Sequence, residues 1–235
     1  MNDALSPPSM TIAGKLCFSG ITPRTGQADI TEQTRDVLAQ LEARLATAGI
    51  DRTSLLTVHI WLRDMALFDH MTAEWNAWIG AHEPPSRSCV SGGSLDPDAL
   101  IEVVATAAVP NHDDDQAVIE RFGLVRGPGR PTLCLALASR DWFTVCTLAP
   151  DCSQDIAGQT RQVLAQFDTF MAEAGVDQSN ILTMDIWLKN MDDKAVVDDT
   201  LAAWLPADQK PSGSCVRADM ARPEMLIEIR ITTRR

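Results

Sequence analysis

Arg87, Cys89 and Glu102 are the residues of this chain whose types and spacing point to chemistry. Arg87 and Cys89 stand two apart in Pro85-Ser86-Arg87-Ser88-Cys89-Val90, so in a strand both side chains leave the same face. A guanidinium is a planar fork that can meet a carboxylate through two parallel hydrogen bonds. An arginine at a strand end is more often a solvated charge, but the small neighbours Ser86, Ser88 and Cys89 leave room here for a ligand. Glu102 interrupts the apolar run Leu100-Ile101-Glu102-Val103-Val104. Beside an arginine such a carboxylate stays ionised and can orient a water; the other reading is a carboxylate paired for structure. Cys89 reads as a small buried side chain or pocket lining rather than a nucleophile, since nothing around it in sequence lowers a thiol pKa.

The same stretch returns as Pro211-Ser212-Gly213-Ser214-Cys215-Val216, and the two copies differ only at Arg87 and Gly213. Gln33-Thr34-Arg35 returns as Gln159-Thr160-Arg161, and Ile60-Trp61-Leu62 as Ile186-Trp187-Leu188, at a constant offset of 126. Between 29–108 and 155–234 there are 32 identities in 80 aligned positions without a gap. A period of that size is a whole domain, so the chain is a tandem duplication. Glycine at the position of Arg87 says that packing alone does not require the arginine.

Within each copy the pattern reads β-(β)-β-α-β-α-β-β. Short strands are expected over 10–15 and 16–20, joined at a glycine turn. Asp29 with Glu32 three residues on is a capping-box start. The apolar stripe Ile30, Val37, Leu38, Leu41 and Leu45 then predicts a helix to about Ala48. Residues 56–62 alternate as a strand. A second helix presents Phe68, Met71, Trp75, Trp78 and Ile79 and is stopped by Pro84-Pro85. Strands over 87–91 and 100–109 close the copy. Residues 110–116, with three aspartates, read as an acidic linker. The second copy adds a strand over 117–123, followed by an opening hairpin over 132–139 and 142–147. The expected class is α+β, a mixed sheet with two helices on one face. The domains are 1–109 and 117–235. The uncovered face, to which Val90, Val103 and Ala105 are assigned, is expected to pack against other copies.

The net charge of −12 opposes binding to phosphate backbones and to anionic membranes. No apolar run is long enough to span a bilayer. The first residues carry no basic and apolar leader pattern, and the six cysteines show no C-x-x-C pair, so reduced thiols and a cytoplasmic location are expected. His59, His70, His82 and His112 show no ligand spacing, and Asp185 replaces His59 in the twin, so no metal is expected. Trp61, Trp78, Trp187 and Trp204 recur in both copies and read as core or interface.

The Gln33-Thr34-Arg35 helix, Ser19-Gly20, Pro85–Val90 and Leu100-Ile101-Glu102-Val103 together resemble the Rid family, also called YjgF/YER057c/UK114, which includes reactive imine deaminases. The resemblance covers nearly all of both copies. It implies a chorismate-mutase-like α+β unit, assembly into trimers and ligand clefts between neighbouring units. Here that means three tandem chains with six domains. It implies a small carboxylate-bearing metabolite as ligand and no cofactor. Arg87 would hold the carboxylate. Glu102 would order the attacking water or brace Arg87. Ser19, Gly20, Cys89 and Thr72 would line the substrate site. The activity implied is hydrolysis of small imino or enamino acids to a 2-oxo acid and ammonia. The alternatives are a non-catalytic carboxylate-binding or regulatory protein and, from older family labels, an endoribonuclease or translation inhibitor, which the acidic charge opposes. The chain departs from the family pattern in having no tyrosine, in Thr72 where an asparagine is frequent, and in Trp75 where a tyrosine is usual. The second copy has Gly213 for Arg87 and Val145-Cys146 for Ser19-Gly20.

Overall fold

The structure is a computed structural model, and it describes residues 10–12, 15–24, 28–92, 96–108 and 118–235. The expected linker 110–116 lies outside the described residues. The chain divides into two compact units. The first comprises Met1–Ile119 and Leu124–Cys134, the second Glu120–Gly123 and Leu135–Arg235.

The first unit runs β1 (Met10–Ile12), β2 (Lys15–Ile21), α1 (Ile30–Thr47), β3 (Leu55–Leu62), α2 (Phe68–Ile79), β4 (Ser86–Ser91) and β5 (Ile101–Ala108). Its strands lie in the order β1-β2-β5-β3-β4. Only β3 and β4 are parallel, and the helix α2 supplies the crossover that a parallel pair needs. Asp29 caps α1 by accepting the Glu32 N–H at 2.9 Å, as the capping pattern predicts. The amide of Gln33 is buried and ties α1 to the last strand. Its nitrogen donates to the carbonyls of Ala28 and Asp98, and its oxygen accepts the N–H of Leu100 at 2.7 Å. Gln159 repeats this tie in the second unit, accepting from Leu226. The Gln-Thr-Arg signature is therefore a framework feature.

The helices cover one face of the sheet and bury Trp75, Leu41 and Leu45 completely against Val58 and Ile60. Val103 and Ala105 belong to this core, contrary to the expectation that they face outward. They pair with Ile60 and Val58 and are fully buried. The alternation of β5 instead sends Glu102, Val104, Thr106 and Ala108 to the other face. Val90, beside Trp61 in the register, does lie there.

Ser19-Gly20 is a bulge inside β2 rather than a turn between strands. Phe18 pairs with Ala105 and Ile21 with Val103, so two residues stand opposite the single Val104. Gly20 has φ +61°, the left-handed conformation that such a bulge assigns to glycine.

The returning segment Leu124–Cys134 is stitched to the end of α2 and to β4. Asn76 Nδ2 donates to the Arg130 carbonyl at 2.9 Å, and Asn76 Oδ1 accepts the Thr132 N–H at 2.7 Å. The Trp75 indole donates to the Thr132 carbonyl at 2.7 Å, and the Cys134 N–H reaches the Pro85 carbonyl at 3.1 Å.

The second unit takes the order β7-β8-β11-β9-β10, with β6 on β7. Its elements are the Glu120–Gly123 part of β6 (Ile119–Val125), the part of β7 (Leu133–Ser139) from Leu135 onward, β8 (Trp142–Leu148), α3 (Ile156–Ala174), β9 (Ile181–Leu188), α4 (Lys194–Trp204), β10 (Ser212–Arg217) and β11 (Ile227–Arg234). Strand by strand this is the order of the first unit, with β9 and β10 again parallel. Here β8 and β11 pair without a bulge.

Candidate active site

Arg87 pairs with Val58 across the parallel β3–β4 register, so its side chain leaves the sheet on the helix-covered face. It is only 4% exposed. Its guanidinium carbon lies 5.3 Å from the ring centre of Trp75 and 5.5 Å from that of Phe68. A cation desolvated over aromatic faces gains about 2 kcal/mol from the ring quadrupoles. Arg87 Nη2 donates to Thr72 Oγ1 at 3.3 Å and contacts Met71 Sδ at 3.9 Å. The surroundings of Arg87 are thus built by one face of α2, with Phe68, Met71, Thr72 and Trp75 spaced three and four apart. Cys89 pairs with Ile60, is buried and belongs to the same core.

The structure brings Arg87, Cys89 and Thr72 together, and it separates Glu102 from them. Glu102 pairs with Trp61, whose neighbours on that face are His59 and Ser88. His59 Nδ1 is hydrogen-bonded to Ser88 Oγ, and its ring packs edge-on against Trp61 at 4.3 Å between centroids. Within one unit, the half-buried Glu102 and Arg87 therefore project from opposite faces. Gly20 is exposed at its bulge. The Ser19 side chain lies outside the described residues. No group of His, Cys, Asp and Glu capable of holding a metal occurs among the described residues.

Phe68, Met71 and Trp75 were legible from the apolar stripe of the second helix, but as core. The duplication carries a sharper signal. Positions 66–76 and 192–202 share no identity, although both flanks do. Phe68, Thr72, Trp75 and Arg87 become Lys194, Asp198, Leu201 and Gly213. The residues around Arg87 have changed together with it.

In the second unit Gly213 sits against β9 so closely that a Cβ there would lie 1.7 Å from the Met184 carbonyl oxygen. No side chain fits without moving a strand. On the opposite face Glu228, 4% exposed, accepts from the Cys146 thiol at 3.2 Å. Burial pushes that thiol well above its ordinary value, and the Glu228 charge adds to the effect.

The Endoribonuclease L-PSP family profile matches residues 4–109 and again 147–234. The RutC family protein YoaB of Escherichia coli K12 is 36% identical over 94 residues, covering 40% of this chain and 82% of the relative. The 3-aminoacrylate deaminase RutC of Acinetobacter baylyi is 34% identical over 97 residues, covering 39% of this chain and 76% of the relative. A solved chorismatase aligns over 96% of this chain and 78% of its own with a TM-score of 0.71 at 14% identity, a likeness of fold alone. Each unit is a chorismate-mutase-like α+β domain, and no helix among the described residues is long and apolar enough to cross a membrane. With both copies matched, the chain belongs to the Endoribonuclease L-PSP family, the Rid or YjgF/YER057c/UK114 proteins, as a tandem duplication of its unit.

Proposed function

We propose that the chain is a hydrolytic deaminase of small imino or enamino acids, working at the first unit in a cytoplasmic trimer. The observation that carries this is the setting of Arg87. It is a buried guanidinium under two aromatic rings with the Thr72 hydroxyl beside it, and the whole group is replaced in the second unit. Family membership and the likeness to a 3-aminoacrylate deaminase support the same reading.

In this proposal Arg87 holds the substrate carboxylate as a fork. Because Arg87 is 4% exposed, the carboxylate reaches it by displacing the side chains of α2 that now cover it. The low-polarity pocket strengthens that ion pair. A guanidinium paired to the carboxylate also leaves the adjacent C=N carbon more electrophilic. Water adds to that carbon, and the carbinolamine collapses with loss of ammonia to give the 2-oxo acid. Imines hydrolyse unaided in water, so positioning and electrostatics suffice as the source of rate. The expected water-ordering role of Glu102 gains no support from its placement on the opposite face.

That placement favours a second reading, a protein that binds a carboxylate metabolite without turning it over. The two separate on one experiment, in which imine decay and equilibrium binding of pyruvate are measured on the same protein. Accelerated decay that is lost in Arg87→Ala selects the deaminase. Saturable, Arg87-dependent binding with a flat rate selects the binding protein. The endoribonuclease name of the family finds no support in a chain of charge −12.

A further inference from the structure

The second unit has an open cleft of about 620 Å³ between α4 and the helix-side face of β9 and β10. Its lining includes Met184, Ile186, Lys194, Leu201, Gly213 and Cys215. By the 126-residue offset these are the counterparts of Val58, Ile60, Phe68, Trp75, Arg87 and Cys89. The cleft therefore occupies the place that Arg87 and the side chains packed on it fill in the first unit. Glycine for arginine and leucine for tryptophan take out the bulk, and lysine for phenylalanine moves the cation from strand to helix. Gly213 keeps the space open, because its backbone lies against the Met184 carbonyl and admits no side chain.

We infer that this cleft is a second binding site, for an amphipathic monocarboxylate larger than a three- or four-carbon acid. The second unit alone supplies this site, independently of the activity proposed for the first. The volume lies within the range of pockets that take drug-sized molecules, about 300–1,000 Å³. Ile186, Leu201 and Leu205 offer an apolar wall, and Lys194 and Lys210 offer the positive charge. Lys194 Nζ is paired along α4 with the Asp198 carboxylate at 2.6 Å, so an incoming carboxylate competes with Asp198 for the ammonium. Asp198 also repels a dianion such as phosphate, so a monoanion is selected. A bound carboxylate exchanges with Asp198 for the ammonium, while its apolar body covers Leu201 and the Cys215 thiol.

The test uses 3-phenylpropanoate as probe and 3-phenylpropan-1-ol as its neutral counterpart. Binding is followed by calorimetry, and its location by protection of Cys215 from iodoacetamide, mapped by peptide mass spectrometry. The acid is expected to bind saturably and protect Cys215, and the alcohol to do neither. Lys194→Gln should weaken the acid at least about tenfold, the cost of a lost charged hydrogen bond. Asp198→Asn should tighten it, because the competitor for Lys194 is gone. Both residues are exposed, so neither change threatens the fold. Equal binding by wild type and Lys194→Gln, weaker binding by Asp198→Asn, or no protection of Cys215 would overturn the assignment. So would a concentration-dependent mass with Cys215 blocked in the larger species, which would make the cleft a contact between copies.

Discussion

Arg87 and Glu102 leave the sheet of the first unit on opposite faces, one beside Val58 under α2 and the other beside Trp61. A small substrate held by Arg87 in that unit therefore meets the face of α2, and not Glu102. The two residues should separate kinetically. Arg87→Ala should lose substrate binding, seen as a fall in kcat/KM of at least about tenfold. Glu102→Gln should leave KM for the same substrate within about twofold of wild type. A matching rise in KM for both variants would show that they act on one substrate from one side.

Gly213 is fixed by backbone proximity, not by turn geometry. Gly213→Ala should destabilise the second unit by about 1–3 kcal/mol, the usual cost of forcing extra volume into a packed region. Chemical denaturation with a probe in the second unit measures this. Gly213→Arg should do no better and should not create a second catalytic unit. An unchanged midpoint for Gly213→Ala would mean that β10 moves freely away from β9.

Asn76 is the clasp between α2 and the returning segment, with one hydrogen bond in each direction. Asn76→Ala removes both and should cost about 1–3 kcal/mol. Proteolysis should then open first within 126–132. A variant as stable and as resistant as wild type would contradict this role.

Part of the acid response of the framework comes from a device that the duplication repeats. The Thr53 hydroxyl and backbone N–H both donate to Asp51, and those of Ser179 to Asp177. These bonds hold both carboxyls below their ordinary value of 3.8. A depressed carboxyl adds stability that is complete above its unfolded pKa and is lost as pH falls through its folded one. The melting temperature should accordingly fall more steeply below about pH 4 in wild type than in the double variant Asp51→Asn, Asp177→Asn. Parallel curves would count against it.

Cys146 should resist alkylation at pH 8 in the folded protein, because burial raises its thiol and Glu228 opposes a second charge. Quantitative labelling of Cys146 before unfolding would contradict the closed setting described here.

Much of this architecture is legible in the sequence. The period of 126 gave the duplication, the Asp29 cap gave the start of α1, and alternation gave β3 and β5. What alternation could not give was the facing of β5. Ile101, Val103 and Ala105 are apolar, but so is Val104, and only pairing with Val58 and Ile60 shows which set meets the helices. Ser19-Gly20 has the composition of a turn, and the register across β5 makes it a bulge. The Arg87 motif put Arg87 and Cys89 on one face of a strand, and in the structure Thr72 of α2 lies beside Arg87. The motif could not show that Glu102, fifteen positions on, would emerge on the far side, because that depends on how an antiparallel strand meets a parallel one through β3. The cleft of the second unit was hidden for a related reason. Its volume arises from replacements on α4 and β10 that come together only in space.

The central claim is that the first unit turns over an imine through Arg87. The direct measurement is ammonia release from 2-iminopropanoate and 2-iminobutanoate generated in situ by an amino-acid oxidase. Wild type, Arg87→Ala and Arg87→Lys are compared at equal folded concentration. Faster release is expected with wild type, loss of the acceleration with alanine, and partial recovery with lysine, which keeps the charge but not the fork. Equal acceleration by wild type and Arg87→Ala, or none by any of the three, would contradict it.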